Sequence, residues 1–196
     1  IGVPEETAPL EKRVAQTPDS VALLVKSGLS VNVEAGAGRA ASFSDEAYAR
    51  AGATIVPDAA AAFASSLVCK VQPPSLAEAR LVGSNMLLSF LYPGQNRELV
   101  SLLASQRATA FAMDCIPRTL SRGQAFDALS SQANIAGYRA VIEAAQVFQR
   151  FFAGQMTAAG KVPPAKVLVL GGGVAGVAAA QTAQNMGAPV RLVGVR

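Results

Sequence analysis

Gly171-x-Gly173-x-x-Gly176 is the strongest chemical signal in the sequence. An apolar run at residues 166–170 leads into it, and a helical stretch to Met186 leads out. A strand, glycines at this spacing and a helix together describe a seat for the pyrophosphate of a dinucleotide. Gly171 permits the tight turn, Gly173 lets the backbone approach the phosphates, and Gly176 lets helix and strand pack closely. The phosphates would sit beside Val174, where free N–H groups and the helix dipole favour an anion. The plainer alternative is a glycine-rich turn in an ordinary α/β domain.

An acidic residue for the ribose 2′-hydroxyl is expected ~20 residues further on, at the end of the next strand. That place holds Gly194, with Val193, Val195 and Arg196 around it. Arg196 at this point could hold a 2′-phosphate, which would mean NADP(H). Our expectation is NAD(H), with weak discrimination at the ribose.

Other chemistries are excluded by composition. The chain has no histidine, which rules out Ser-His-Asp or Cys-His catalysis and any histidine-bearing zinc site within it. Its two cysteines, Cys69 and Cys115, lack metal spacing and are expected to be small buried apolar residues of a reduced compartment, not a disulfide framework. The net charge of +4 comes from scattered Lys and Arg without interleaved aromatics, so nucleic acid is not expected. A mild positive field still favours a phosphate-bearing ligand. Hydrophobic residues make up 51% of the 196 and charged ones 15%, which points to large buried or shared surfaces and to self-association. No stretch approaches the ~20 apolar residues that span a bilayer, and no signal peptide is visible. The chain begins and stops at apparent strands, and both ends look cut.

The elements that must position the glycine loop follow from alternation. Thr17-Pro18-Asp19 starts a helix that Gly28 stops, and Ser44-Asp45-Glu46 starts one that Gly52 ends. Residues 1–3, 31–33, 54–56, 67–71, 86–91 and 109–113 are apolar runs of strand length, and residues 95–105 are the clearest helix between them. Alternation of this kind predicts a parallel sheet with helices on both faces. Ile135, Tyr138, Val141, Ile142, Ala145, Phe148 and Phe152 recur at three- and four-residue steps, predicting one long helix over residues 124–154. It would bridge two domains or line a dimer seam. Residues 160–164, Gly-Lys-Val-Pro-Pro, are the expected break. The expected organisation is an N-terminal α/β domain over 1–126, a connecting helix and linker over 127–163, and the start of an incomplete Rossmann domain over 164–196. In fold class this is α/β: two doubly wound parallel-sheet domains joined by a long helix.

Residues 127–139, Asp-Ala-Leu-Ser-Ser-Gln-Ala-Asn-Ile-Ala-Gly-Tyr-Arg, resemble a signature of the alanine dehydrogenase/pyridine nucleotide transhydrogenase family. So do residues 151–167. The likeness extends back through Pro93-Gly94-Gln95-Asn96, Lys70-Val71, Ala37-Gly38 and Arg13-Val14-Ala15, and covers essentially the whole chain. Within the family, the NAD(H)-binding component of the proton-translocating, Re/Si-specific transhydrogenases fits better than alanine dehydrogenase. Alanine dehydrogenases share Arg13 and Lys70, which there bind the keto acid. They also carry a histidine where this chain has Tyr92, so Arg13 and Lys70 read here as fold-holding residues.

The transhydrogenase resemblance implies an Arg-Gln-Asp loop over the nicotinamide. Gln124 and Asp127 match it; Arg118 is the favoured arginine, with Arg122 the alternative. Without the resemblance, Gln124 and Asp127 would be read as helix capping. Ser130 and Tyr138 match further positions beside the nicotinamide and the mobile loop. Arg196 matches the arginine of a strand-end run in which the family has Asp where this chain has Gly194. The implied reaction is direct hydride transfer between NADH and NADP⁺. NADP(H) would sit on a separate component, a membrane component would move protons, and this chain would form a homodimer and be inactive alone. Its place would be the soluble face of an energy-transducing membrane, bacterial cytoplasm or mitochondrial matrix. The rivals are an alanine-type amino-acid dehydrogenase and a non-catalytic nucleotide-binding or assembly domain.

Overall fold

The structure, a computed structural model, describes residues 1–117 and 119–194. The chain divides into two compact units, Ile1–Phe126 and Asp127–Arg196.

The first unit alternates strand and helix: β1 (Gly2–Val3), α1 (Pro18–Lys26), β2 (Asn32–Glu34), α2 (Asp45–Arg50), β3 (Thr54–Val56), α3 (Ala59–Phe63), β4 (Leu67–Cys69), α4 (Leu76–Val82), β5 (Met86–Ser89), α5 (Arg97–Ser105) and β6 (Thr109–Ala112). All six strands are parallel, in the order β3-β2-β1-β4-β5-β6. Strand order reverses between β1 and β4, so the unit is doubly wound, and its switch point lies where those two strands end.

Local chemistry sets the helix starts. Thr17, Ser44, Asp58 and Ser75 each accept a backbone N–H of the first turn of the helix they cap, and Ser75 and Glu78 close a reciprocal capping box. Gly28 and Gly52 adopt positive φ just past α1 and α2. One cluster of buried side chains, Val3, Val21, Val31, Val33, Ala37 and Tyr48, gathers around β1 and β2. Another, with Phe63, Val68, Val82, Leu87, Leu99 and Leu103, gathers around β4 and β5.

The second unit contains α6 (Ala128–Phe148), the antiparallel hairpin β7 (Gln155–Thr157) and β8 (Gly160–Val162), then β9 (Val167–Leu170), α7 (Val174–Asn185) and β10 (Val190–Val193). β9 and β10 are parallel and in register, Val167 opposite Val190 through Leu170 opposite Val193.

Three expectations need correction here. Cys69 is buried as expected, but Cys115, in the 3-10 turn Met113–Cys115 after β6, is exposed. The long helix covers 128–148, not 124–154. Asp127 caps its start, Gln124–Phe126 is a separate 3-10 turn, and Gln149 ends it in the left-handed conformation with φ 55°. The expected break at residues 160–164 is instead partly strand, because β8 pairs with β7 inside the second unit.

Candidate nucleotide-binding site

The three fingerprint glycines, Gly171, Gly173 and Gly176, answer different steric demands. Gly171 has φ 109°, a conformation that L side chains rarely adopt, and its N–H donates to Val193 O at 2.7 Å. The β9 strand can therefore turn sharply while still held to β10. Gly176 is required by contact: a Cβ there would lie 1.8 Å from Gly171 O. Gly173 differs from both. Its backbone is extended, at φ −78° and ψ −176°, and a Cβ there would meet nothing within 4 Å. The space over Gly173 is open.

Gly173 is also the N-cap of α7, and it offers no side chain to the first turn. By contrast Asp127 caps α6 with its own carboxylate, accepting the Ser130 N–H at 2.9 Å. The first N–H groups of a helix have no intrahelical acceptor and carry the positive end of the dipole. At α7 no side chain caps them, and the space a Gly173 Cβ would enter is open.

Gly194 stands at the end of β10 beside this loop: a Cβ on Gly172 would lie 3.7 Å from Gly194 Cα. The position expected to carry the ribose-binding acid is thus next to the loop and carries no side chain. Arg196 lies outside the described residues, as does Arg118.

On α6, Ser130 is half-buried in the first turns and Tyr138 lies eight residues on, about 12 Å along the axis. Tyr138 is 54% exposed and lines a shallow groove with Ile135 of α6 and Val177, Ala178, Gln181 and Thr182 of α7. The fingerprint helix and the signature helix thus meet side by side. Gln124 and Arg122 belong to the first unit, and both are exposed.

At the switch point of the first unit the strand ends carry a charged cluster. Lys70, immediately after β4, is buried, with its ammonium 3.0 Å from Glu78 Oε1 and 3.5 Å from Glu6 Oε2. Glu6 also accepts the N–H groups of Val71 and Gln72, at 2.6 and 3.2 Å. Glu11 grips Arg13 through two side-chain bonds of 2.8 and 2.6 Å and accepts from Gln72 at 2.7 Å. Hydrogen bonding from Arg13 holds the Glu11 carboxyl down to about 2 against the opposing effect of burial. At Glu78, burial pushes the carboxyl up, but hydrogen bonds from Ser75 and the nearby Lys70 outweigh it, so the net shift is downward. Tyr92 sits in the left-handed region at φ 45°, its N–H donating to Asp114 Oδ2 at 3.0 Å, and its ring stacks on Phe90. The sequence reading missed Glu6, Glu11, Glu78 and Asp114. Only Glu78 had a local signal, the Ser75-x-x-Glu78 capping box.

Among the described residues no group of three or more Cys, Asp or Glu could hold a metal ion, and no helix is long and apolar enough to cross a membrane.

A doubly wound parallel sheet followed by a strand, a dinucleotide-type glycine loop and a helix defines the class: an α/β protein of Rossmann-like build. The chain belongs to the alanine dehydrogenase/PNT family, PNT being pyridine nucleotide transhydrogenase, since the family's N-terminal domain model matches residues 2–136 and its C-terminal domain model residues 140–196. It is 58% identical over 190 residues to NAD(P) transhydrogenase subunit alpha of Cereibacter sphaeroides, covering 96% of this chain and 36% of that one. Alanine dehydrogenase of Bacillus subtilis is more distant, 34% identical over 197 residues, covering 98% of this chain and 51% of that one. The crystal structure of a transhydrogenase from Sinorhizobium meliloti superimposes with a TM-score of 0.93 at 42% identity, covering 99% of this chain and 56% of that one. The chain thus spans between about a third and just over half of the length of these relatives. The family and fold expected from the sequence are those found.

Proposed function

We propose that this chain is the NAD(H)-binding part of a proton-translocating NAD(P) transhydrogenase of the Re/Si-specific type. The observation that carries the reading is the N-terminus of α7, where a glycine cap without a side chain opens onto free space above Gly173. That geometry suits a pyrophosphate, with the N–H groups around Gly173 and Val174 donating and Gly171 and Gly176 shaping the cradle. Arg118, Gln124, Asp127, Ser130 and Tyr138 are the proposed nicotinamide-side residues, and Arg196 the proposed ribose-side residue.

When bound, the nicotinamide supplies the hydride chemistry. What the chain must contribute is orientation, holding one ring against another. A general acid or base is not required for such a transfer, so the lack of histidine is no obstacle. NADP(H) is then held on a separate component, a membrane component couples the exchange to protons, and the chain pairs with a second copy. The assembly would lie at the soluble face of an energy-transducing membrane, with this chain inactive alone. Similarity to a protein named as a subunit alpha supports a multi-component assembly.

The test is an assay of the intact protein for hydride exchange between NADH and an oxidised NADP⁺ analogue, alongside an assay for alanine-dependent NADH formation. Exchange without alanine turnover is the expected result. Appreciable alanine-dependent NADH formation would overturn the reading in favour of an amino-acid dehydrogenase.

A further inference from the structure

Gly137 is buried on the face of α6 that meets α7. A Cβ built there would lie 2.1 Å from Ala175 O, 2.8 Å from the Ala175 carbonyl carbon and 3.0 Å from its Cα. Ala175 is the second residue of α7, within the first turn that faces the open space above Gly173. The contact is therefore backbone on backbone, at the first turn of α7, beside the proposed phosphate seat. Helix separation depends on the side chains at the crossing. With none on Gly137, the α6 backbone can approach the Ala175 backbone directly. Val141, one turn further along the same face, is also buried and continues the seam.

We propose that Gly137 is a positioning residue for the nucleotide, contributed from α6 alongside the three fingerprint glycines Gly171, Gly173 and Gly176. This rests on the function proposed above. Ser130 and Tyr138 ride on α6, on either side of Gly137, while the phosphate seat rides on α7. The Gly137–Ala175 contact sets the distance between them. Neither contacting group can rotate aside, because both belong to hydrogen-bonded helix backbone. A methyl group at 137 must separate the helices by about 1 Å, and a misplacement of that size can cost about 10²-fold where reacting groups must be aligned. The phosphate seat stays tied to β10 through the Gly171 N–H bond to Val193 O.

The experiment compares two ligands on the intact protein. ADP-ribose reaches only the α7 side, whereas NADH reaches both helices. For Gly137→Ala, NADH binding should weaken about tenfold while ADP-ribose binding stays within about twofold, and hydride exchange at saturating NADH should fall further still. Equal weakening of both ligands, or of neither, would overturn the inference. If Gly137→Ala does not fold, Val141→Ala loosens the same seam without a clash. It should weaken NADH by about threefold and spare ADP-ribose, and a parallel loss would again overturn the inference. Should the wild type bind neither ligand, the proposed function fails and this inference with it, an outcome distinct from any of the variant results.

Discussion

The Lys70 ammonium and the Glu78 carboxylate meet at 3.0 Å with the lysine side chain only 1% exposed, and Glu6 shares the same cation at 3.5 Å. Removing one member of such a cluster leaves buried charge without a partner, which costs about 3–5 kcal/mol. Lys70→Met should therefore lower the stability of the first unit by an amount in that range, read as a shift in the urea midpoint. Adding Glu78→Gln should recover part of the loss. If Lys70→Met were neutral or stabilising, the lysine would be a ligand-binding group held at the expense of the fold.

Acid sensitivity follows from Glu11. Its carboxyl is held at about 2, against an ordinary value of 4.5, first by the Arg13 side chain. A carboxylate with a depressed value stabilises the fold fully above its unfolded value and loses that contribution as pH falls through the folded one. The window is thus from about pH 4.5 down to about pH 2. Glu11→Gln should flatten the stability–pH curve of the first unit across that window. An unchanged slope would mean that the Arg13 pairing contributes nothing.

Gly173 and Gly176 should separate binding from folding. Gly173→Ala adds a methyl group to open space on an extended backbone. Stability should stay within ~0.5 kcal/mol, as for an unencumbered surface change. NADH affinity should nevertheless drop by about tenfold or more, because in the proposed site the methyl group stands where the pyrophosphate would approach. Gly176→Ala drives a Cβ to 1.8 Å from Gly171 O, so it should also destabilise the second unit, by about 1–3 kcal/mol. Calorimetric titration and thermal melts on the intact protein read the two effects apart.

Gly194→Asp tests cofactor choice. An acid at this position would accept the ribose 2′-hydroxyl and repel a 2′-phosphate. Regaining one such bond is worth about 0.5–1.5 kcal/mol, or roughly three- to tenfold. NADH should tighten by that factor and NADPH should weaken. If the unaltered protein prefers NADPH outright, the assignment of NAD(H) is wrong.

How much of this was legible in the sequence depends on the range of the interaction. Helix starts were readable because Thr17 and Ser44 act within three residues of themselves, and the parallel sheet was readable because its strands alternate with such helices. The glycine loop was readable for the same reason, since Gly171, Gly173 and Gly176 act on each other and on the strand beside them. The β7–β8 hairpin was not, because Gln155–Thr157 is wholly exposed and offers no apolar face to betray a strand. Gln149 ends α6 in a conformation that glutamine gives no warning of. The partners of Lys70 and Gln72 escaped because Glu6 and Glu11 lie 60 or more residues away in sequence. Gly137 looked like an ordinary helix residue until its neighbour Ala175 was placed against it.

The bare glycine cap of α7 makes this end of the helix thermodynamically dependent on its surroundings. Helices that carry their own side-chain caps satisfy a first-turn N–H without a ligand. For α7 a bound pyrophosphate would act as the cap, so the melting of the second unit should climb with cofactor concentration. Ligand at a hundred times its dissociation constant adds about 2.7 kcal/mol to whatever it binds only when folded. The protein would in effect sense how much dinucleotide surrounds it, and its half-life in a dinucleotide-starved cell would be shorter than in a replete one.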